Sequence, residues 1–254
     1  MYFDAHAHLD DEAFAEGLDD VLPAILVAGV EGVVNAACDL KSTHTSGALS
    51  RQVPWIWCTA GVHPHYAESV NDDMLREVAE ATVNPKCVAY GEIGLDYHYD
   101  FSPRDVQRDV FVKQLSLAHE LRMPVVLHLR ECYEDANAIL LANRSLLTDG
   151  VLLHCYSGSM ELARDIYNGL DCYYSFGGAV TFAKRKDEVL KVIPRERLLI
   201  ETDCPYMTPV PYRGQRNTPA NIPIICRKIA DLLGEDAQTI AQATTQNAKR
   251  FYRL

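Results

Sequence analysis

Eight short apolar runs recur along the chain with room for a helix between most of them, and nothing else in the sequence constrains the fold as strongly. They occupy residues 2–5, 32–38 (GVVNAAC), 55–61 (WIWCTAG), 87–92 (CVAYGE), 125–128 (VVLH), 151–154 (VLLH), 172–176 (CYYSF) and 198–203 (LLIETD). The intervening segments carry helical spacing. Over 105–121 the apolar positions Val106, Val110, Leu117 and Leu121 share a face, with Pro103 before the segment and Pro124 after it as punctuation. Continuous apolar strands alternating with helices predict a parallel sheet buried on both faces. Eight of them predict an α/β fold of the (β/α)8 TIM-barrel kind, one domain using all of 1–254. An apolar content of 48% is enough to fill such a core. Gly-x-Gly-x-x-Gly and Walker A patterns are both absent, which disfavours the alternative of an open, doubly wound sheet.

The runs end in chemically active residues. His6 and His8 follow the first, in MYFDAHAHLD; residues two apart on a strand share a face, so the two imidazoles and Asp4 are expected on one side. Glu92 ends the fourth run, His128 the fifth, His154 the sixth and Asp203 the eighth, and a barrel brings these ends to one mouth. His63 and His65, in GVHPH, and Arg130 fall in the same register. Taken singly, the strand-end histidines read first as hydrogen-bonded core residues, and Asp203 as a helix N-cap or an ion-pair partner. Four imidazoles and two carboxylates converging on one face are another matter, because buried ionisable groups are costly unless paired or bound to metal. Six nitrogen and oxygen donors without thiolate suit Zn²⁺, Mn²⁺ or a similar divalent ion, Mg²⁺ being the least natural partner for imidazole. The set exceeds what one catalytic zinc takes, so two ions sharing a carboxylate fit the count better.

Charge and cysteine usage narrow the setting. The net charge of −11 argues against coating nucleic acid by bulk electrostatics, while leaving a local basic rim at Arg130, Lys184–Arg185–Lys186, Arg213 and Arg216. Eight scattered cysteines without a C-x-x-C pair read as reduced thiols in apolar surroundings; Cys155 and Cys204, each following a candidate ligand, read the same way. The N-terminus shows no leader pattern and no run is long enough to span a bilayer, so a cytoplasmic location, no membrane contact and no obligate protein partner are expected.

The motifs DAHAHLD, CTAGVHPH, YGEIGLDYHYD, VVLHLRE, LLHCYSGS, YSFGGAVTF and LIETDCPYMTPVPYRGQRNTP follow one another over nearly the whole chain. In kind and order they resemble those of the TatD-type metal-dependent deoxyribonucleases, a branch of the amidohydrolase-like barrels. The resemblance implies that His6, His8 and Asp203 hold one metal, that His128 and His154 hold the other, and that Glu92 bridges the two. It implies that Asp203 also acts as the base for the attacking water, with His63 near the site as a further catalytic candidate. It further implies a DNA substrate, with removal of nucleotides from single-stranded or 3′ ends. Arg130 and Arg213 are the best phosphate clamps, since a guanidinium grips two oxygens at once, and His65 joins them as a candidate substrate contact. Tyr97, Tyr99 and Tyr212 are candidates for stacking on unpaired bases. Ala7, Leu129 and Cys204 depart from common family residues, and Leu129 and Cys204 bear on substrate preference. Two rival readings use the same cluster: hydrolysis of a small amide, ester or lactone, and non-catalytic metal binding.

Overall fold

Each predicted run forms a strand in the computed structural model, which describes residues 1–184 and 186–254; Arg185 of the candidate basic rim lies outside them. The strands are β1 (Tyr2–Ala7), β2 (Val30–Asn35), β3 (Ile56–Ala60), β4 (Cys87–Asp96), β5 (Val125–Arg130), β6 (Val151–Leu153), β7 (Tyr173–Phe176) and β8 (Leu198–Ile200). All neighbouring pairs are parallel and in chain order. Helices α1 (Leu18–Val27), α2 (Leu40–Gln52), α3 (Asp72–Ala81), α4 (Arg104–Glu120), α5 (Tyr133–Ala142), α6 (Met160–Leu162, continued by a π turn) and α7 (Lys186–Val192) connect them. Two helices, α8 (Ile222–Leu233) and α9 (Ala237–Tyr252), follow β8. None of the described helices is long and apolar enough to cross a membrane.

The barrel closes between β1 and β8 partly through side chains. Asp203 N–H donates to the His6 carbonyl (3.0 Å) and His8 N–H to the Cys204 carbonyl (2.8 Å). Lower on the same seam, the Asp4 carboxyl accepts from Thr202 N–H (2.9 Å) and meets the Thr202 hydroxyl (2.5 Å). Its other partner is the His6 N–H (3.2 Å), and burial, opposed by these bonds, pushes the carboxyl up to about 8. Asp4 is therefore a seam residue and does not share the face of His6 and His8 as strict alternation predicts.

The reason is an extra residue in β1. From Asp4 to Ala7 the strand advances three residues while β2 advances two, from Val33 to Asn35. Such a bulge reverses which side chains point inward. Below it Phe3 and Ala5 join an apolar cluster with Val34, Ala89, Val126, Leu152, Tyr173 and Leu199, closed at the bottom by Phe251 and Tyr252 of α9. Above it His6 and His8 take the inner positions. The same device recurs in β4, where Tyr90 to Ile93 spans three residues against two on β5, Val125 to Leu127. Ala89 thus faces the apolar cluster and Glu92, three residues on, faces the mouth. The strand runs past the predicted end at Glu92 because Ile93 and Leu95 still pack into the strand–helix layer. Gly91 makes the bulge possible: a Cβ there would sit 2.7 Å from the Val126 carbonyl oxygen.

Candidate metal centre

All six sequence-predicted ligands meet at the barrel mouth, arranged about one carboxylate. Glu92 is buried in mid-barrel, its N–H bonded to the Ala37 carbonyl (2.8 Å). Its Oε2 lies 3.3 Å from His6 Nε2 and 3.7 Å from His8 Nε2. Its Oε1 lies 2.7 Å from His128 Nδ1, 2.8 Å from His154 Nε2 and 3.4 Å from His63 Nε2. Asp203, in a left-handed conformation (φ 53°) just past β8, brings Oδ1 to 3.4 Å from His8 Nε2 and 3.9 Å from His6 Nε2. His6, His8 and Asp203 thus form one donor group, and His63, His128 and Glu92 another, while His154 closes a third with His6 and Glu92.

Residues behind the cluster fix which nitrogen each ring turns inward. His8 Nδ1 contacts the Ala36 carbonyl (3.0 Å), and His128 Nε2 contacts Asp96 Oδ2 (3.0 Å). His154 Nδ1 faces Glu201 Oε1 at 3.5 Å. The outer nitrogens of His8 and His128 meet an acceptor, which favours the proton there and a lone pair on the inner nitrogen, whereas His154 Nδ1 makes no hydrogen bond. His6 Nε2 and His8 Nε2 lie only 3.1 Å apart, and His128 Nδ1 and His154 Nε2 only 3.2 Å. Lone pairs gathered this closely call for a cation between them.

Electrostatics point the same way. Burial alone would raise the Glu92 carboxyl, but His154, His63 and His6 hold it well below the usual carboxylate range. Burial alone would lower His8 and His154; Cys38, Asp203 and Glu92 raise the first well above an ordinary histidine, and Glu92 with Glu201 raises the second. His128 is shifted upward as well, by Asp96 and Glu92 against its burial, so negative charge concentrated at Glu92 favours positive charge around it, which a divalent ion would supply. The clustered nitrogen and oxygen donors suit divalent metal.

The second tier, Asp96 and Glu201, was not among the residues expected from sequence. Asp96 ends β4 on the inward phase set by the bulge, and its Oδ2 contacts both His128 Nε2 and His65 Nε2 (2.9 Å). Glu201 accepts from Cys155 N–H (2.7 Å) and the Ser175 hydroxyl (2.5 Å). Both stand in the quoted motifs GEIGLDYH and ETDCPYM, two residues from a candidate ligand or its strand partner, and that spacing was the available signal.

The remaining candidates line the rim. His63 caps the 3-10 helix Pro64–Ser69; its Nδ1 accepts the His65 N–H (3.2 Å), so its proton sits on Nε2, facing Glu92. Arg130 lies with its guanidinium 4.9 Å over the Tyr99 ring and has no carboxylate partner among the described residues. Arg213 stacks on Phe182 at 4.0 Å and donates to the Thr208 carbonyl (3.0 Å). Arg216 is tied to the Ala13 and Glu16 carbonyls, and Lys186 donates to the Tyr156 carbonyl (2.9 Å). Lys184 is exposed. Tyr97 packs under the rim, its hydroxyl on Asp135 (2.6 Å), whereas Tyr99 and Tyr212 stand exposed. Cys204 is buried, and Cys155 lies beside Glu201 through its N–H.

Known proteins match this chain along its full length. The family model described as TatD related DNase matches residues 3–253. An uncharacterized metal-dependent hydrolase, YabD, of Bacillus subtilis (strain 168) is 40% identical over 256 residues, covering 100% of both chains. The 3′-5′ ssDNA/RNA exonuclease TatD of Escherichia coli (strain K12) is 36% identical over 265 residues, covering 99% of each. Among solved structures, the TatD homolog YjjV from Escherichia coli K12 superposes with a TM-score of 0.93 at 28% identity, over 100% of this chain and 98% of that one.

Proposed function

This chain belongs to the TatD-related DNase family of metal-dependent hydrolases, and from that premise we propose that it hydrolyses phosphodiester bonds of nucleic acid with two divalent ions, one on each side of Glu92. The observation that carries the reading is the division of donors between the two Glu92 oxygens: His6 and His8 about Oε2, His128 and His154 about Oε1. Asp203 would complete the first group, and His63 borders the second. Zn²⁺, Mn²⁺ and Mg²⁺ are the candidate ions, the imidazoles favouring the first two. Ions held by these residues would lower the pKa of a bound water and offset the negative charge that builds on a phosphate during displacement.

The protein's own groups divide the remaining work. No backbone or hydroxyl donor engages the Asp203 carboxylate among the described residues, in contrast to Asp4 and Glu201, whose oxygens are occupied. Asp203 therefore keeps acceptor capacity for the proton of the attacking water. His63 presents its Nε2–H beside Glu92, where it can donate to a phosphate oxygen or to the leaving oxygen. Arg130 offers the phosphate a guanidinium with no carboxylate partner among the described residues, and Arg213 a second guanidinium, held by Phe182 and the Thr208 carbonyl. Nucleic acid as the substrate accords with relatives named 3′-5′ ssDNA/RNA exonucleases.

The test uses protein loaded in turn with Zn²⁺, Mn²⁺ or Mg²⁺ and oligonucleotides labelled at either end, single-stranded and duplex. A ladder shortening from the 3′ end of the single strand is expected. Turnover of small esters or lactones, with every oligonucleotide left intact, would overturn the reading.

A further inference from the structure

Six phenylalanine and tyrosine side chains are exposed among the described residues: Tyr66, Tyr99, Phe101, Phe182, Tyr206 and Tyr212. All six sit in the segments that follow strands β3, β4, β7 and β8, on the face that carries the metal cluster, Tyr66 within the 3-10 helix Pro64–Ser69. A single exposed aromatic needs no explanation, but a protein that leaves every one of them at its active-site mouth has kept ring faces free there. Within this set one wall is better built than the rest. Tyr99 and Phe101 stack on each other, centroids 5.2 Å apart and planes within 15°, and they remain 49% and 64% exposed. His65 meets both edge-on, at 5.4 Å from Tyr99 and 4.8 Å from Phe101. His65 shares Asp96 with His128, so the pair is referenced to the cluster through one carboxylate. Arg130 lies over Tyr99 with no acidic partner among the described residues.

We propose that the Tyr99–Phe101 stack is a platform for an unpaired nucleobase adjoining the scissile phosphate, with Arg130 binding the neighbouring backbone phosphate. The proposal rests on the phosphodiesterase reading of the site and names its substrate as a single strand or a frayed end. A free ring face beside an unpaired guanidinium matches the two halves of a nucleotide, an apolar planar base and an anionic phosphate. An apolar small molecule would have no use for the cation at this spot. In a duplex interior both faces of each base are covered by its neighbours, so only an unpaired base reaches the platform.

The experiment compares the metal-loaded wild type with Phe101→Leu and Phe101→Trp. Leucine keeps apolar bulk without a π face; tryptophan keeps the face. Phe101 is exposed, so neither change burdens the core. Binding is read with phosphorothioate single strands carrying 2-aminopurine, whose fluorescence is quenched on stacking, and turnover with ordinary single strands. Phe101→Leu is expected to raise KM and Kd by roughly 5- to 150-fold, the range of base–aromatic stacking, with kcat held. Phe101→Trp is expected to bind at least as tightly as wild type, and an abasic nucleotide at the stacked position to remove the difference among the three proteins. Unchanged KM in Phe101→Leu, absence of quenching in the wild-type complex, or equal affinity for the abasic strand would each overturn the platform while leaving the nuclease intact. Failure of the wild type to cleave any oligonucleotide would instead remove the reading beneath it.

Discussion

On the β1/β8 side of Glu92, His6 and His8 are accompanied by Asp203, whose charge enters the cluster directly, 3.4 Å from His8 Nε2. On the β5/β6 side, His128 and His154 have no carboxylate of their own in the cluster; Asp96 and Glu201 stand behind them, on the outer ring nitrogens. His8, by contrast, is held from behind by a neutral backbone carbonyl, that of Ala36. One side thus places its negative charge among the ligands and the other places it one imidazole away. The arrangement teaches two things on the proposed two-ion reading. The β1/β8 position should hold its ion more tightly, having a direct anionic ligand. The β5/β6 position should depend on groups that never touch the ion, because a hydrogen-bonded carboxylate makes an imidazole a stronger donor and holds its orientation.

The largest effect expected removes the comparison altogether. Glu92 is the one group both sides share, so Glu92→Ala should lose metal from both positions and abolish hydrolysis. Elemental analysis of purified wild type and variant checks it. Full metal content in the variant, or loss of one equivalent with the other kept, would show that the sides do not share the carboxylate.

The barrel and the meeting of the cluster were legible in the sequence because strand ends are marked by where apolar runs stop. His6, His8, Glu92, His128, His154 and Asp203 all stand at such stops, and a parallel barrel leaves them nowhere to go but one mouth. The two bulges were not legible. A period of two in the sequence carries no mark of an inserted residue, so Asp4 was placed with His6 and His8 although it turns to Thr202. The carboxylates behind the histidines were missed for a related reason. Asp96 reaches His128 because the β4 bulge sets its phase, and Glu201 reaches His154 across the barrel interior, contacts fixed by register rather than by local pattern. The rim arginines depend on side-chain packing after folding: Arg213 lies against Phe182, a residue of a different loop, and no pairwise spacing in the sequence shows that.

The next effect bears on the β1/β8 side. Asp203→Asn keeps the size and one ligating oxygen while removing the charge and the proton acceptor. Turnover should fall by about 10²–10⁴-fold, the usual contribution of a positioned general base, and excess Mn²⁺ should restore occupancy without restoring the rate. Activity measured against added Mn²⁺ separates the two roles. Recovery to near wild-type turnover would make Asp203 a ligand alone, and the direct charge on this side would then serve binding rather than proton transfer.

The smallest effect is the sharpest test of the contrast, because it concerns a residue outside the cluster. Glu201→Gln preserves shape: the amide oxygen can still accept the Cys155 N–H, and the amide nitrogen can face the Ser175 hydroxyl, now acting as acceptor. What is lost is the negative charge behind His154. Losing such a partner typically weakens metal binding by roughly 10–100-fold, so one equivalent should bind that much less tightly and the other should be unchanged. Stepwise titration of metal-free protein with Zn²⁺, followed by calorimetry, resolves the two equivalents. Asp96→Asn should weaken the same equivalent, since His128 and His154 lie on the same side of Glu92. Equal weakening of both equivalents would mean that the charge of Glu201 is felt across the whole cluster, and the distinction between the two sides would then be one of geometry without consequence for binding.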